Sequence, residues 1–273
     1  MVSILCFLPF LNVLAISLSD QISISLGKVS FWPVGFTTTA YDYLLENKMF
    51  WTAMRISISR IALGGFVNML LTILVAYPLS KEPGKFPGRT VYAWYVLVTM
   101  LFSGGLIPTF LVVKYTGLLD SIWALILPGA VPVFNVVLLL NFFRQLPREM
   151  EEAAFVDGAG HWKTLLKIYL PTSLPALATI ALFTLVGHWN EWFSAIIYMR
   201  RMEHYPLQSY LQTVLISDTF RVTSQKDVEI LNKLSNKTVS SAQIFIGMIP
   251  ILCVYPFLQK YFTKGIVLGS VKG

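Results

Sequence analysis

About six stretches of this chain are apolar for long enough to cross a bilayer, and that restricts its fold more than any other feature. In hydrocarbon every backbone N–H and C=O must be satisfied within the protein, so runs of this length select helices. The expected fold is therefore all-α, a polytopic membrane helical bundle forming one domain over residues 1–273. Composition agrees: apolar residues make up 55% and charged residues 13%, with a mean hydropathy of +0.65. The length suits one bundle and leaves no room for an additional nucleotide-binding domain. The net charge of +7 is spread over loops and span ends, with no basic stripe interleaved with aromatics. Nucleic acid therefore has no support as a partner, and membrane lipid is the natural anionic neighbour. Cys6 and Cys253 lie in apolar runs, where a thiol behaves as a small hydrophobe, and no disulfide is expected.

Val2 to Leu18 reads as a retained first span. A cleaved signal peptide is the rival, although the only small-residue site is a weak one near Ala15, and the missing basic flank suggests further residues upstream. Ser19 to Met54 is polar and aromatic, with Tyr41, Leu44 and Leu45 marking a surface helix. The second span, Arg55 to Leu79, carries Gly64-Gly65 as a close-packing point and Arg60 one turn inside. Arg60 either snorkels to an interface or faces a wet cavity. Lys81, Lys85 and Arg89 form a short basic loop of the kind retained in the cytoplasm. The third span, Val91 to Val113, is expected to bend at Gly104-Gly105 and Pro108. Pro128 and Pro132 interrupt the fourth, Ser121 to Phe143, and free carbonyls that must find partners or line a path.

Between the fourth and fifth runs lies the most specific stretch, Pro147 to Pro171. Pro147 suits a helix start, and Glu149, Glu151 and Glu152 complement the positive end of the helix dipole. Asp157-Gly158-Ala159-Gly160 then predicts a tight turn. Trp162, Leu165, Leu166 and Tyr169 recur at helical spacing, and Pro171 discourages straight continuation. A hairpin of two short helices facing water follows.

The fifth span, Leu174 to Met199, contains Trp189, Asn190 and Glu191, read either as part of an interfacial aromatic belt or as a gate-lining or sugar-facing patch, since indole faces stack on pyranose rings and amide or carboxylate groups pair with hydroxyls. Arg200 to Val239 returns outside the membrane, and Pro206, Leu207, Gln208 and Tyr210 open an amphipathic helix. That helix either lies on the bilayer or meets a partner. Asn236-Lys237-Thr238 is a chance sequon. Ser240 to Phe262 is the sixth span, followed by a short tail placed in the cytoplasm. Charge counts alone do not fix the orientation.

The hairpin resembles the EAA loop of the permeases of ATP-binding-cassette importers. The matching residues are Glu152, Ala153, Ala154, Gly158, Ile168, Leu170 and Pro171, with Asp157 and Ala159 beside them. Leu165 stands where many family members have phenylalanine. Tyr205-Pro206-Leu207-Gln208, Tyr255-Pro256-Phe257 and the tail Lys264 to Gly273 are similar to the maltose-type, carbohydrate branch. The resemblance implies a type I importer permease fold in a bacterial cytoplasmic membrane, with the C-terminus cytoplasmic. It implies that the hairpin is a coupling helix docked on a separate ATPase subunit. It further implies a second related permease, two ATPase copies that carry ATP and Mg, and an extracytoplasmic sugar-binding protein, met through Pro206, Leu207, Gln208 and Tyr210.

The residues themselves offer no catalytic site. Gly84-Lys85 lacks the earlier glycine and the hydroxyl of a phosphate-binding loop. His161, His188 and His204 lack metal-ligand spacing, and no nucleophile signature occurs. The spans show no carboxylate pair suited to an ion-coupled carrier. No enzyme activity and no cofactor are expected in this chain. The alternatives are a permease of the same kind for another solute class, and a secondary carrier.

Overall fold

The computed structural model describes residues 2–217 and 236–270, and among these it is helical throughout, with no strand. In chain order the helices are α1 (Val2–Ser17), α2 (Gln21–Ser25), α3 (Thr39–Glu46), α4 (Lys48–Ser80), α5 (Arg89–Leu101) and α6 (Leu106–Tyr115). They continue as α7 (Val133–Gln145), α8 (Arg148–Val156), α9 (His161–Thr164), α10 (Leu170–Thr172), α11 (Leu174–Asn190), α12 (Phe193–Tyr198), α13 (Leu207–Ser217) and α14 (Asn236–Ser270). Each apolar run of the sequence is thus helical, but the runs differ in how they are broken. Among the described residues α4 is long and apolar enough to span by itself, and three bent pairs qualify when each pair is taken as one span.

α4 starts at Lys48, a full turn and more before the expected Arg55, and its 33 residues make about 50 Å of helix at ~1.5 Å per residue. That exceeds the ~30 Å hydrocarbon core, so α4 projects beyond it. The third run breaks where Gly104-Gly105 lie, α5 and α6 meeting there at 114°. Gly105, at φ 86° and ψ 178°, occupies a region that costs a residue with a Cβ dearly. The fifth run also ends earlier than expected: α11 stops at Asn190, and Glu191-Trp192 separate it from α12. At the other end of the chain α14 runs through Ser270, so most of the expected tail is helix. Within the expected outer segment from Arg200 to Val239, residues 218–235 lie outside the described residues.

The chain divides into two compact units, one of residues 1–58 and 191–253, the other of residues 59–190 and 254–273. In the first, Asp20 caps α2 by accepting from Ser23 N at 2.6 Å, and Leu44 of α3 is fully buried while Leu45 is exposed. The start of α13 is tied down by Leu207 N donating to Ser57 Oγ at 2.7 Å and Ser209 Oγ donating to the Trp192 carbonyl at 2.7 Å.

In the second unit the proline-broken fourth run shows where freed carbonyls go. Short 3₁₀ turns over Ile122–Leu125 and Leu127–Gly129 precede α7, at a bend of 49°. Arg60 Nη2 donates to the Leu125 carbonyl at 3.2 Å, and Asn68 Nδ2 donates to the Gly129 carbonyl at 2.9 Å. A buried carbonyl without a donor costs on the order of 1–3 kcal/mol, so these side chains do what the missing proline N–H groups cannot. Arg60 is 3% exposed; it is held inside the unit and does not snorkel. Asn68 Oδ1 pairs in turn with His188 Nε2 of α11 at 3.1 Å. The glycine at 64 is what lets that imidazole approach, since a Cβ there would lie 2.6 Å from His188 Nε2. Asn135 Nδ2 donates to Thr184 Oγ1 at 3.1 Å, linking α7 to α11.

Candidate functional site: a two-faced hairpin

α8 and α9 form the hairpin that the sequence predicts, and its turn is a Schellman motif. Gly158 N donates to the Phe155 carbonyl at 3.0 Å and Ala159 N to the Ala154 carbonyl at 2.9 Å. These are the crossed bonds that close a helix through a residue in the left-handed region. Gly158 is that residue, at φ 74°. Ala154 and Ala159, which flank the closure, are both buried, whereas Glu152, Ala153, Asp157 and Gly158 are exposed. A Cβ on Gly158 would meet nothing in this chain.

The second arm separates two faces that helical spacing alone had merged. Leu165 and Tyr169, four apart, are 2% and 7% exposed and belong to a core with Tyr77 of α4, Phe143 of α7 and Ile180 of α11. Trp162 and Leu166, also four apart, are exposed, as is Val156 at the tip of α8. Leu165 therefore packs within this chain and is no part of an outward docking face. Ile168 and Leu170 pack partly against the same core, and Pro171 is exposed. The helix does not stop at Pro171. A π turn over Leu165–Tyr169 precedes the proline, with Leu170 N reaching back to the Leu165 carbonyl. The chain turns at buried Ser173, giving an 82° bend into α11. A widened turn accommodates the proline ring and the backbone bond that it cannot make.

Beneath the hairpin lies a polar group whose importance the sequence does not disclose. Lys81 Nζ sits 2.8 Å from Glu151 Oε2, with side-chain exposures of 5% and 8%. Tyr169 Oη donates to the same carboxylate oxygen at 2.6 Å. The ammonium also lies over the rings of Tyr77, at 4.0 Å, and Tyr169, at 4.1 Å. Tyr77 and Tyr169 meet edge to face at 5.1 Å, and Tyr169 meets Phe143 likewise at 5.2 Å. Tyr77 Oη is 3.4 Å from His161 Nδ1, and Phe155 packs edge-on against His161 at 5.1 Å. Burial alone would raise the Glu151 carboxyl; the bonds from Lys81 and Tyr169, with the charges of Lys81 and Lys85, outweigh it and hold the group below its usual range. Burial pulls the Lys81 ammonium down, with Glu151 opposing. The Tyr169 hydroxyl is pushed far up, first by burial and then by Glu151, so it remains a donor.

These contacts join both arms of the hairpin to the ends of α4, α7 and α11. Packed aromatics and one buried ion pair tie the inner face of the hairpin to these helices. Sequence reading singled out Glu152 for the partner and treated Glu151 only as a dipole complement. What separates them is Lys81, seventy residues earlier in the chain, which pairs with Glu151.

The other candidate residues lie at the end of α11, at the start of α12 and in the first turn of α13. Trp189 is 3% exposed in the last turn of α11, and Asn190 is exposed at its end. Glu191 accepts from Ser194 N at 2.8 Å and from Ser194 Oγ, which caps the start of α12. Pro206, Leu207 and Tyr210 are buried, and Gln208 is half-buried.

Long apolar helices, several of them broken in mid-run, with a two-faced hairpin between them are the fold of a polytopic membrane protein. Residues 68–268 match the family "Binding-protein-dependent transport system inner membrane component", and the chain belongs to that family. It is 40% identical over 273 residues to the Polygalacturonan/rhamnogalacturonan transport system permease protein YtcP of Bacillus subtilis (strain 168), covering 100% of this chain and 95% of that protein. Against Protein LplC of the same organism the identity is 42% over 273 residues, covering 100% and 91%. A solved structure described as a bacterial ABC transporter involved in the import of the acidic polysaccharide alginate superposes with a TM-score of 0.89 at 33% identity. The match covers 96% of this chain and 92% of that one. The chain is therefore a multi-pass inner-membrane permease, and its family is one of transport components rather than enzymes.

Proposed function

We propose that this permease conducts an acidic oligosaccharide and is driven by a separate ATPase through its hairpin. The observation that carries the coupling is the division of the hairpin into an exposed face, with Glu152, Ala153, Val156, Asp157, Gly158 and Trp162, and a buried face fixed to α4, α7 and α11. An exposed apolar patch beside carboxylates on a rigid support suits a partner groove with a basic rim. Ala154, Ala159, Ile168, Leu170 and Pro171 shape that support. In this reading ATP and Mg belong to two ATPase copies whose closure moves the hairpins as rigid bodies. The spans of this chain and of a related permease then alternate between inward- and outward-facing states. The hairpin and the C-terminus lie on the cytoplasmic side. A binding protein delivers the sugar opposite, where Gln208 is the candidate contact left partly open, Pro206, Leu207 and Tyr210 serving to seat α13. Trp189, Asn190 and Glu191 remain candidates for the sugar path.

Acidic cargo is favoured by charge. α4, α5, α6, α7 and α11 carry arginine or lysine, or no charge, and not one aspartate or glutamate. Spans with positive charge alone do not repel a passing carboxylate. The relative named for polygalacturonan and the solved transporter named for alginate point to the same class of sugar. The test is uptake by proteoliposomes holding the complete transporter and its binding protein. Oligogalacturonate should accumulate only with ATP, and well above a neutral oligosaccharide of equal length. Uptake without ATP, or a preference for the neutral sugar, would overturn the reading.

A further inference from the structure

Where α4 ends, α5 begins and α7 ends lies a half-open polar pocket of about 210 Å³. That is smaller than the roughly 300 Å³ at which pockets for drug-sized ligands begin, and suited to a single small charged group. Five cations, Lys81, Lys85, Arg89, Arg144 and Arg148, line it against two carboxylates, Glu82 and Glu151. Both carboxylates are already engaged. Glu82 pairs with Arg148 at 2.5 Å, and Glu151 pairs with Lys81 at 2.8 Å, with Lys85 at 3.9 Å from its other oxygen.

Arg89 and Arg144 are left without an acid among the described residues. Both are directed at one atom: Arg89 Nε donates to the Leu79 carbonyl at 2.9 Å, and Arg144 Nη2 donates to it at 3.3 Å. Two guanidiniums that share one neutral oxygen repel each other, and each has further N–H donors to place. Part of their role is to complement the carbonyl ends of α4 and α7. That leaves the excess positive charge uncompensated where α4 and α7 end and α5 begins, beside the hairpin. We propose that this pocket seats the phosphate of an anionic phospholipid headgroup, gripped by Arg89 and Arg144. Paired guanidiniums match phosphate oxygens in fork geometry, and basic pockets at span ends are placed to take such headgroups.

The test is native mass spectrometry of the assembled transporter released from nanodiscs containing equal amounts of phosphatidylglycerol and phosphatidylcholine. Wild type should retain phosphatidylglycerol selectively, and Arg89→Gln/Arg144→Gln should lower that selectivity roughly 30-fold, from about 1 kcal/mol per basic residue at the surface. Arg89→Lys/Arg144→Lys should keep part of it, which guards against a variant that merely misfolds. A second arm adds inorganic phosphate to phosphatidylcholine nanodiscs and follows thermal unfolding. If phosphate alone protects as well as phosphatidylglycerol, the ligand is the free ion and the lipid assignment fails. Equal lipid retention by wild type and the glutamine variant also overturns it, as does a variant whose only defect is loss of a protein partner.

Discussion

Removing the Glu151 carboxylate is the perturbation that separates a rigid coupling element from a hairpin merely resting on the spans. Glu151→Ala would strip Lys81 of its acid at 5% side-chain exposure and leave the Tyr169 hydroxyl without the acceptor it reaches at 2.6 Å. At such burial solvent screens little, and breaking one side of a buried pair costs on the order of 3–5 kcal/mol. At about 2–4 °C per kcal/mol that is a fall of about 6–20 °C in Tm, read by tryptophan fluorescence in nanodiscs. Glu151→Gln keeps an acceptor for both donors and should lose less. The triple variant Lys81→Met/Glu151→Leu/Tyr169→Phe replaces the whole polar group with apolar side chains and should recover to within about 1 kcal/mol of wild type, since an apolar core in place of a buried ion pair is often neutral. A Glu151→Ala cost under about 1 kcal/mol, or a triple variant no better than the single one, would refute the reasoning.

The same carboxyl sets a pH dependence. Its folded pKa lies below the ordinary 4.5, so the unfolded chain binds the proton first, and the stabilisation is present above that value and lost as pH falls through the folded pKa. Unfolding followed from pH 6 down to about pH 3 should show wild type losing more stability than Glu151→Gln. Gly158→Ala must hold a Cβ at φ 74°, which costs about 1–2 kcal/mol. Since that Cβ meets nothing in this chain, a much larger loss of sugar-stimulated ATP hydrolysis would report the partner's surface. Gly64→Ala sets a Cβ 2.6 Å from His188 Nε2 and should cost about 1–3 kcal/mol in thermal unfolding by breaking the pair with Asn68. Gly65→Ala, whose Cβ would sit 3.2 Å from a flexible Leu185 methyl, should cost less.

How much of this was legible in the sequence depended on whether a property is local. The helical, membrane-spanning class follows from run length, and the hairpin turn from Gly158, because a left-handed closure needs a residue without a Cβ. The two faces of the second arm were also present, as Leu165 with Tyr169 and Trp162 with Leu166, but periodicity does not say which pair points inward. Glu151 and Glu152 are equivalent to any dipole argument; only Lys81, seventy residues earlier, distinguishes them. Pro171 marked where the helix would not run straight on, and the chain does bend by 82° at Ser173; the π turn that absorbs the proline left no mark in the sequence. Arg60 left two readings open until the carbonyl freed in the proline-broken run supplied a third, a donor to backbone inside the protein.

The central claim, that the exposed face of the hairpin seats in a separate ATPase, is tested most directly by a photo-crosslinking residue at position 156. Val156 is 86% exposed at the tip of α8, and Leu165, at 2%, provides the inward-facing control. The account predicts that illumination of native membranes joins position 156 to an ATPase subunit, with a yield that changes when ATP is added, while position 165 gives only bonds within the chain. Crosslinks from position 156 to lipid or to this chain alone, with or without ATP, would contradict it.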